Sequence, residues 1–500
     1  LSRSPESITD VENAAAPEGA GAIIARNSGW MMGAKLISSV LSLIFLAVAA
    51  NKLGAVEYGT LNFVFSIAAF FHILLDLGYM TLLIERASKQ RDKLEWHLNG
   101  NLGLKLLLYP GGLILYSLLL FKYPDLWIEP TVFLCGYIFV VLNTHGYLLR
   151  GVLMARESFE PIGKSEVLER FVVLGVGLIV LFTIPKLAPY VLVLTAANFL
   201  KVIYLSISVK RAGIQSRWRW DTEYVTSNWR AALPHALYSI AGMMHFRIDT
   251  VMIGSMRPFA EVGLYSASFD KVLGFVVFGQ MITNAVTPTA SRLFATDKDE
   301  FRRVFDRAFF LLPVIAVPIT VGLAICSKGI VALFHSAEYE TTWLALAWLA
   351  PYVMLRFWIY LYASSLLAAG RIGSHVIAES IGVTAKILLN LYLIPRMGFA
   401  GAGVSFAVAE VIVLLVDAWQ ARAIGLPFLP LHRAWQPLLA GALMGGLVWG
   451  MRGFGLLPQV AAGGCVYVVL CLLFGVLRSE PGIEAFARRL LAGLRFGSAK

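Results

Sequence analysis

The chain predicts an all-α polytopic membrane protein of about fourteen transmembrane helices: two pseudo-symmetric six-helix lobes followed by two C-terminal helices. Three observations carry the prediction. Apolar runs of about 20 residues recur from Asn27 to Leu477, rich and poor basic connectors alternate along the chain, and two distant stretches repeat the same residues at the same spacing.

Of the 500 residues, 58% are hydrophobic and 15% charged, with mean hydropathy +0.72. A soluble domain carries about 25% charged residues, so much of this surface must face lipid. Lipid supplies no partner for backbone polar groups, and each long apolar run is therefore expected to be a helix. In order, the spans fall at about 28–50, 59–84, 100–120, 131–152, 166–184, 187–209, 229–254, 262–290, 304–326, 340–368, 372–394, 400–420, 435–451 and 457–477. The last two spans and the close pair around Pro185 to Pro189 carry the weakest signals, which leaves about twelve as the alternative count.

Odd-numbered spans are followed by connectors with a single basic residue: Lys52, Lys122, Lys186, Arg257, Lys328, Arg396 and Arg452. The alternate connectors are richer, holding Arg86, Lys89, Arg91 and Lys93, then Arg150, Arg156 and Lys164, then Lys210, Arg211, Arg217 and Arg219, then Arg292, Lys298, Arg302 and Arg303. The positive-inside rule places these loops and both termini in the cytoplasm. It also accounts for the net charge of +11 without a nucleic-acid partner. The first 26 residues lack the basic start and apolar core of a secretory signal, so the first span is expected to direct insertion. Cys135, Cys326, Cys465 and Cys471 lie inside apolar runs without metal-ligand spacing and read as small packing residues.

The repeat sets a domain plan. Ile162-Gly163, Glu169 and Ile184-Pro185-Lys186 match Ile372-Gly373, Glu379 and Ile394-Pro395-Arg396 about 210 positions later. Leu53-Gly54 and Tyr58-Gly59 match Ile253-Gly254 and Val262-Gly263 more faintly. Both members of each pair fall on helices of the same predicted direction, which implies a parallel repeat with a substrate site between the halves. The plan is a cytoplasmic tail at 1–26, an N-lobe at 27–209, a linker at 210–228, a C-lobe at 229–420, helices thirteen and fourteen at 435–477, and an amphipathic tail at 478–500. Trp218, Trp220 and Trp229, interleaved with Arg217, Arg219 and Arg230, suit a linker lying among lipid headgroups. Ile483, Phe486, Leu490, Leu491 and Leu494 give the tail a membrane-surface stripe.

Ionisable residues within spans are expensive and mark cavities or partners. Here they are Lys35, Asp76, Lys105, Lys201, Arg247, Asp249, Asp270, Lys271, Arg356, Glu379, Lys386 and Glu410. Lys105 and Asp76 lie near the cytoplasmic side, where they can pair or snorkel instead. Arg247 and Asp249, two apart, cannot face the same side of a helix. Glu379 and Lys386 share a face, roughly 10 Å apart along the axis, and read as two points on one wall. Lys35, Arg247, Arg356 and Lys386 are the expected cavity cations, which implies an anionic cargo; arginine forks match phosphate oxygens. No Gly-rich loop bears the Lys-Ser/Thr of an ATP site, and no Ser-His-Asp or Cys-His arrangement stands out, so neither ATP use nor enzymatic chemistry is expected. GFAGAG at 398–403 joins two spans and reads as close helix packing.

Leu53-Gly54 with Tyr58-Gly59, Asp76-Leu77-Gly78, Asp249 to Gly254, Val262 to Tyr265, Pro288, and Asn390 to Pro395 followed by Gly398 and Gly401-Ala402-Gly403 occur in an order and spacing that resembles the polysaccharide-unit (O-antigen/exopolysaccharide) flippase family of the multidrug/oligosaccharidyl-lipid/polysaccharide exporter superfamily. The similarity spans most of residues 27 to 420. It implies a two-lobed transporter that moves an undecaprenyl-diphosphate-linked oligosaccharide across a bacterial inner membrane by alternating access, for surface polysaccharide biosynthesis. It further implies no bound cofactor, an H+ or Na+ gradient as driving force, and lipids, a polysaccharide polymerase and chain-length machinery as partners. Within that frame, Lys35, Arg247, Arg356 and Lys386 would hold the diphosphate, and Asp76, Asp249, Glu379 or Glu410 would take up the coupling ion. Three alternatives stay open: a multidrug or cation antiporter of the same superfamily, a peptidoglycan lipid-precursor flippase, and a membrane-embedded glycosyltransferase or polymerase.

Overall fold

The computed structural model describes residues 20–122 and 130–476, with side chains for 45–119, 130–284 and 286–476. Its regular secondary structure within those residues is all helical. The first half of the chain forms α1 (Ala20–Asp76), α2 (Tyr79–Lys89), α3 (Leu94–Lys122), α4 (Pro130–Ala155), α5 (Glu160–Thr183) and α6 (Leu187–Arg211). The second half forms α7 (Thr222–Met256), α8 (Phe259–Thr296), α9 (Lys298–Ile325), α10 (Ser327–Phe334), α11 (Trp343–Leu349), α12 (Pro351–Ala368), α13 (Ile372–Met397) and α14 (Phe399–Ala421), followed by α15 (Trp435–Gly450) and α16 (Leu456–Leu473). Every expected span overlies helix, although the boundaries differ. Ten helical stretches among the described residues are long and apolar enough to cross a membrane. The amphipathic tail after 477 and the first 19 residues lie outside the described residues.

The breaks follow local chemistry. Spans one and two form one helical run, interrupted where Gly54 adopts φ +78°; an L side chain is strained there. A second break, at Leu77 and Gly78 with φ 51° and 77°, separates α1 from α2 inside the second expected span. Span ten is not one helix. A 3-10 turn at Ala337–Thr342 leads into α11, and Pro351, at the start of α12, has no N–H with which to continue the ladder.

In the first half α1 packs on α4 and α5, and α6 packs on α4 and α5. In the second, α12 sits among α8, α9 and α14, while α13 packs on α14 and α7. α15 packs on α9 and α16. The largest contact between halves is α1 against α8, and the faint repeat explains how it forms. A Cβ on Gly59 would lie 1.7 Å from the Phe259 carbonyl oxygen, and one on Gly263 would lie 2.2 Å from that of Ala55. The two motif glycines therefore let one backbone approach the other, the role small residues play between membrane helices. Gly59→Ala must push backbone apart, a cost on the order of 3 kcal/mol. Thermal denaturation in detergent should show a clear loss for Gly59→Ala and none for Gly373→Ala, where a Cβ meets open space.

The halves also meet at both ends of the bundle. At the end bearing the basic connectors, His235 Nε2 lies 3.4 Å from Glu85 Oε2, and Arg86 donates to Asn228. At the opposite end, Asn51 donates to the Phe334 carbonyl at 2.7 Å, the Ala55 N–H donates to Glu338 at 2.9 Å, and Tyr339 donates to the Ala50 carbonyl at 3.0 Å. The connecting segment at 212–221 is fastened to α3, with Trp218 and Trp220 left exposed. Its Gln215 and Arg217 N–H groups donate to Glu95 and Asn99 of α3, at 2.9 and 2.6 Å.

Candidate functional site

A cavity of about 660 Å³ lies between the halves, walled by α1, α4, α5 and α6 on one side and α7 and α8 on the other. It runs from Phe45 and Tyr190 toward Arg150 and Glu166 at the basic end. A volume of this size suits a compact ligand. The first-half wall is charged, with Arg150, Arg170 and Lys201 beside Glu166 and Glu169. Arg150 pairs with Glu166 at 2.7 Å and Lys201 with Glu169 at 3.0 Å. Across from them, Asp270 of α8 accepts from the Tyr58 hydroxyl of α1 at 2.6 Å.

Arg247 of α7 is half-buried in this cavity. It makes no hydrogen bond or ion pair among the described residues, and its charge acts on Asp270. α7 turns Asp249, two residues on, away from the cavity and into the second half, as the helical period requires. Lys35 lies on α1, but its side chain falls outside the described residues.

Arg356 and Lys386 are elsewhere. Arg356, only 3% exposed, projects from α12 between Glu379 of α13 and Glu410 of α14, with 2.6 Å to each. His245 of α7 completes the cluster, 3.0 Å from Glu379 and 2.7 Å from Glu410, and also contacts the Arg356 guanidinium. Tyr352, Tyr360 and Phe246 present ring faces to the guanidinium. Lys386 is fully buried, 2.8 Å from Asp249, bonded to the His245 carbonyl and over the Phe406 ring. Asn390 donates to the other Asp249 oxygen at 2.7 Å. His375, 2.8 Å from Asp417 and 3.6 Å from Glu379, extends the network by one turn.

The four expected cations therefore do not share one cavity. Arg356 and Lys386 each have carboxylate partners on neighbouring helices, because an unpaired charge in a packed membrane interior is too costly. Glu379 and Lys386 share a helix face, as their spacing requires, yet that face looks into the second half rather than onto a cavity wall. Asp76 is a first-half residue, 3.8 Å from Lys105 Nζ. Sequence reasoning did not select His245, His375, Asp417 and Asn390 of the network, nor Arg150, Glu166, Glu169 and Arg170 of the cavity wall. A signal existed for the α13 set: His375, Glu379, Lys386 and Asn390 form a polar stripe at helical spacing.

The network has a definite charge parity. Arg356 and Lys386 face four carboxylates, Asp249, Glu379, Glu410 and Asp417, with His245 and His375 between them. Neutrality in so dry a setting requires additional protons or cations on the acids or imidazoles.

Known proteins share this architecture. Agl15 of Haloferax volcanii, a probable low-salt glycan biosynthesis flippase, is 20% identical over 471 residues, 91% of this chain and 94% of that protein. Among solved structures, the lipid II flippase MurJ in an inward closed conformation superposes with a TM-score of 0.75 at 14% identity, covering 89% of this chain and 99% of MurJ. An inward-facing multidrug resistance MATE family transporter of the MOP superfamily gives 0.60 at 11% identity, covering 78% and 98%. These likenesses establish the fold, a multi-pass helical membrane bundle. The family described as polysaccharide biosynthesis protein matches residues 24–294. With more than half of its length so matched, the chain belongs to that family.

Proposed function

We propose that the protein flips a polyprenyl-diphosphate-linked oligosaccharide from the cytoplasmic to the periplasmic leaflet of a bacterial inner membrane, for surface polysaccharide biosynthesis. The lobes at 27–209 and 229–420 rock about the central cavity, with both termini cytoplasmic, and a polysaccharide polymerase with its chain-length machinery receives the product. The observation that carries this reading is Arg247, a half-buried guanidinium in the cavity between the halves with no hydrogen-bonded partner among the described residues. A forked cation held without an internal partner is suited to a diphosphate. The paired charges of the opposite wall offer donors and acceptors to sugar hydroxyls. The glycan named for the Haloferax relative agrees with such a cargo.

The driving force in this reading is an H+ or Na+ gradient acting on Asp249, Glu379 and Glu410, and on Asp76 in the other lobe. The parity of the second-lobe network supports protons, since Lys386 already occupies the position between Asp249 and the His245 carbonyl where a cation would sit. A coupling ion shifts the lobes only through different affinity for the two states. Purified protein in proteoliposomes should move a fluorescent lipid-linked oligosaccharide between leaflets, faster under an imposed ion gradient. Transport of cationic dyes with no oligosaccharide movement would establish the antiporter alternative. Rescue of a strain lacking its peptidoglycan-precursor flippase, without effect on surface polymer, would establish the other.

A further inference from the structure

One face of α3 carries a polar stripe that neither the cavity nor the second-half network uses. His97, Asn101, Lys105 and Tyr109 recur every fourth residue. Their exposures are 2% for His97 and 0% for Asn101 and Lys105. Tyr224 of α7, Asp76 at the end of α1, His145 of α4 and Trp218 of the connecting segment surround the stripe. Trp218 stacks on His145 at 5.4 Å, and Tyr224 lies against His97 at 5.8 Å.

This region is short of partners. Both amide atoms of Asn101, Nδ1 of His97 and His145, the Tyr109 and Tyr224 hydroxyls and Asp76 Oδ1 are buried without a hydrogen bond from the described residues. Each such group left dry costs about 1–3 kcal/mol. Buried polar groups are satisfied by water where the chain does not satisfy them. Residues four apart on a helix stand about 6 Å apart along its axis, close to two hydrogen bonds of about 2.8 Å in series. One water can therefore bridge each step, from His97 near the basic end to Lys105.

The stripe ends on a hinge. Asp76 is 3.8 Å from Lys105 Nζ, which itself donates to the Leu75 carbonyl at 3.2 Å. The other Asp76 oxygen lies 3.5 Å from the Met80 N–H, at the N-terminus of α2. Between them is the Leu77-Gly78 break, where a Cβ on Gly78 would lie 2.5 Å from the Ala232 carbonyl of α7. α2 in turn carries Glu85 and Arg86, which meet α7.

We propose that the α3 stripe is a hydrated proton path from the basic face to Asp76, and that protonation of Asp76 loosens the α2 hinge. The proton binds a carboxylate oxygen, turning a neutral Asp76–Lys105 pair into a site of net charge +1. The same event removes the anion at the α2 N-terminus, where a negative charge is favourable. The charged and titratable groups around Asp76 are Lys105 and Tyr109 of α3, His72 of α1, His145 and Tyr147 of α4, Tyr224 of α7 and Arg86 of α2. The site itself stands apart from the cargo; only its use in the transport cycle rests on the ion-coupled reading.

Two measurements on the whole protein, without cargo, test this. Radiolytic hydroxyl-radical footprinting of the wild type should modify Tyr109, His145 and Tyr224 well beyond what their exposure allows, because bound water generates the radical in place. Infrared difference spectra between alkaline and acidic buffer should contain a carboxyl band that Asp76→Asn removes. Asn101→Leu should slow the appearance of that band after a pH jump by about tenfold. Asn101 has no protein hydrogen-bond partner among the described residues and Leu is of similar size, so Asn101→Leu should stay folded, with a melting temperature near that of the wild type. Stripe residues modified no more than equally buried side chains, a band insensitive to Asp76→Asn, or wild-type kinetics in a folded Asn101→Leu would each overturn the proposal.

Discussion

Arg247→Ala is expected to lower the rate of oligosaccharide flipping by about ten- to a hundredfold while leaving the fold intact. Hydrogen bonds to a charged group contribute about 1.5–3 kcal/mol, and each 1.4 kcal/mol is about a factor of ten. The fold should survive because no described residue hydrogen-bonds to this guanidinium, so its removal orphans no hydrogen-bond partner among them. Asp270 keeps the Tyr58 hydroxyl whatever stands at 247. Arg247→Lys should fall between, since an ammonium keeps the charge but loses the planar fork. The contrast with Lys201→Met sharpens the test: that change strips Glu169 of its partner and should cost stability as well as transport. Leaflet exchange in proteoliposomes, alongside melting temperature, separates the two outcomes. Unaltered flipping in folded Arg247→Ala protein would end the case for a cavity cation that holds diphosphate.

The fold was legible in the sequence because its signals are local. A 20-residue apolar run must be helical in lipid whatever surrounds it, whereas the close approach of α1 and α8 at Gly59 and Gly263 shows only once the two helices are side by side. Charge neutralisation is a property of neighbours. Nothing in α12 hints that Arg356 has acids beside it, because Glu379 and Glu410 arrive from two other helices. Lys386 likewise finds its carboxylate 137 residues away in Asp249. Arg247 was selected by the same depth-and-charge argument and does face the cavity, so the argument finds intramembrane charges without telling a binding group from a packed one. Periodicity helps only where several polar residues share a helix, as on α13 and in the α3 stripe.

Arg356→Ala should act on stability first and on transport only through it. The substitution leaves Glu379, Glu410 and His245 facing one another without the guanidinium that joins them. Breaking a buried pair by removing one partner costs about 3–5 kcal/mol, which predicts a loss of folded protein in detergent and a melting temperature lower by about 4 °C. The acids themselves supply the control. Arg356→Met combined with Glu379→Gln and Glu410→Gln removes the uncompensated charge together with the cation, and replacing a buried ionic group by neutral residues is often near neutral for stability. The triple variant should therefore regain much of the melting temperature lost in Arg356→Ala, yet flip oligosaccharide at a rate indifferent to the ion gradient, because the groups that would bind the coupling ion have gone. A cargo-binding arginine behaves in the opposite way: Arg356→Ala would keep the wild-type melting temperature and lose transport outright, and neutralising the acids would change nothing. Melting curves of the single and triple variants, read beside flipping with and without a gradient, decide between a structural cation within the coupling network and a second hand on the diphosphate.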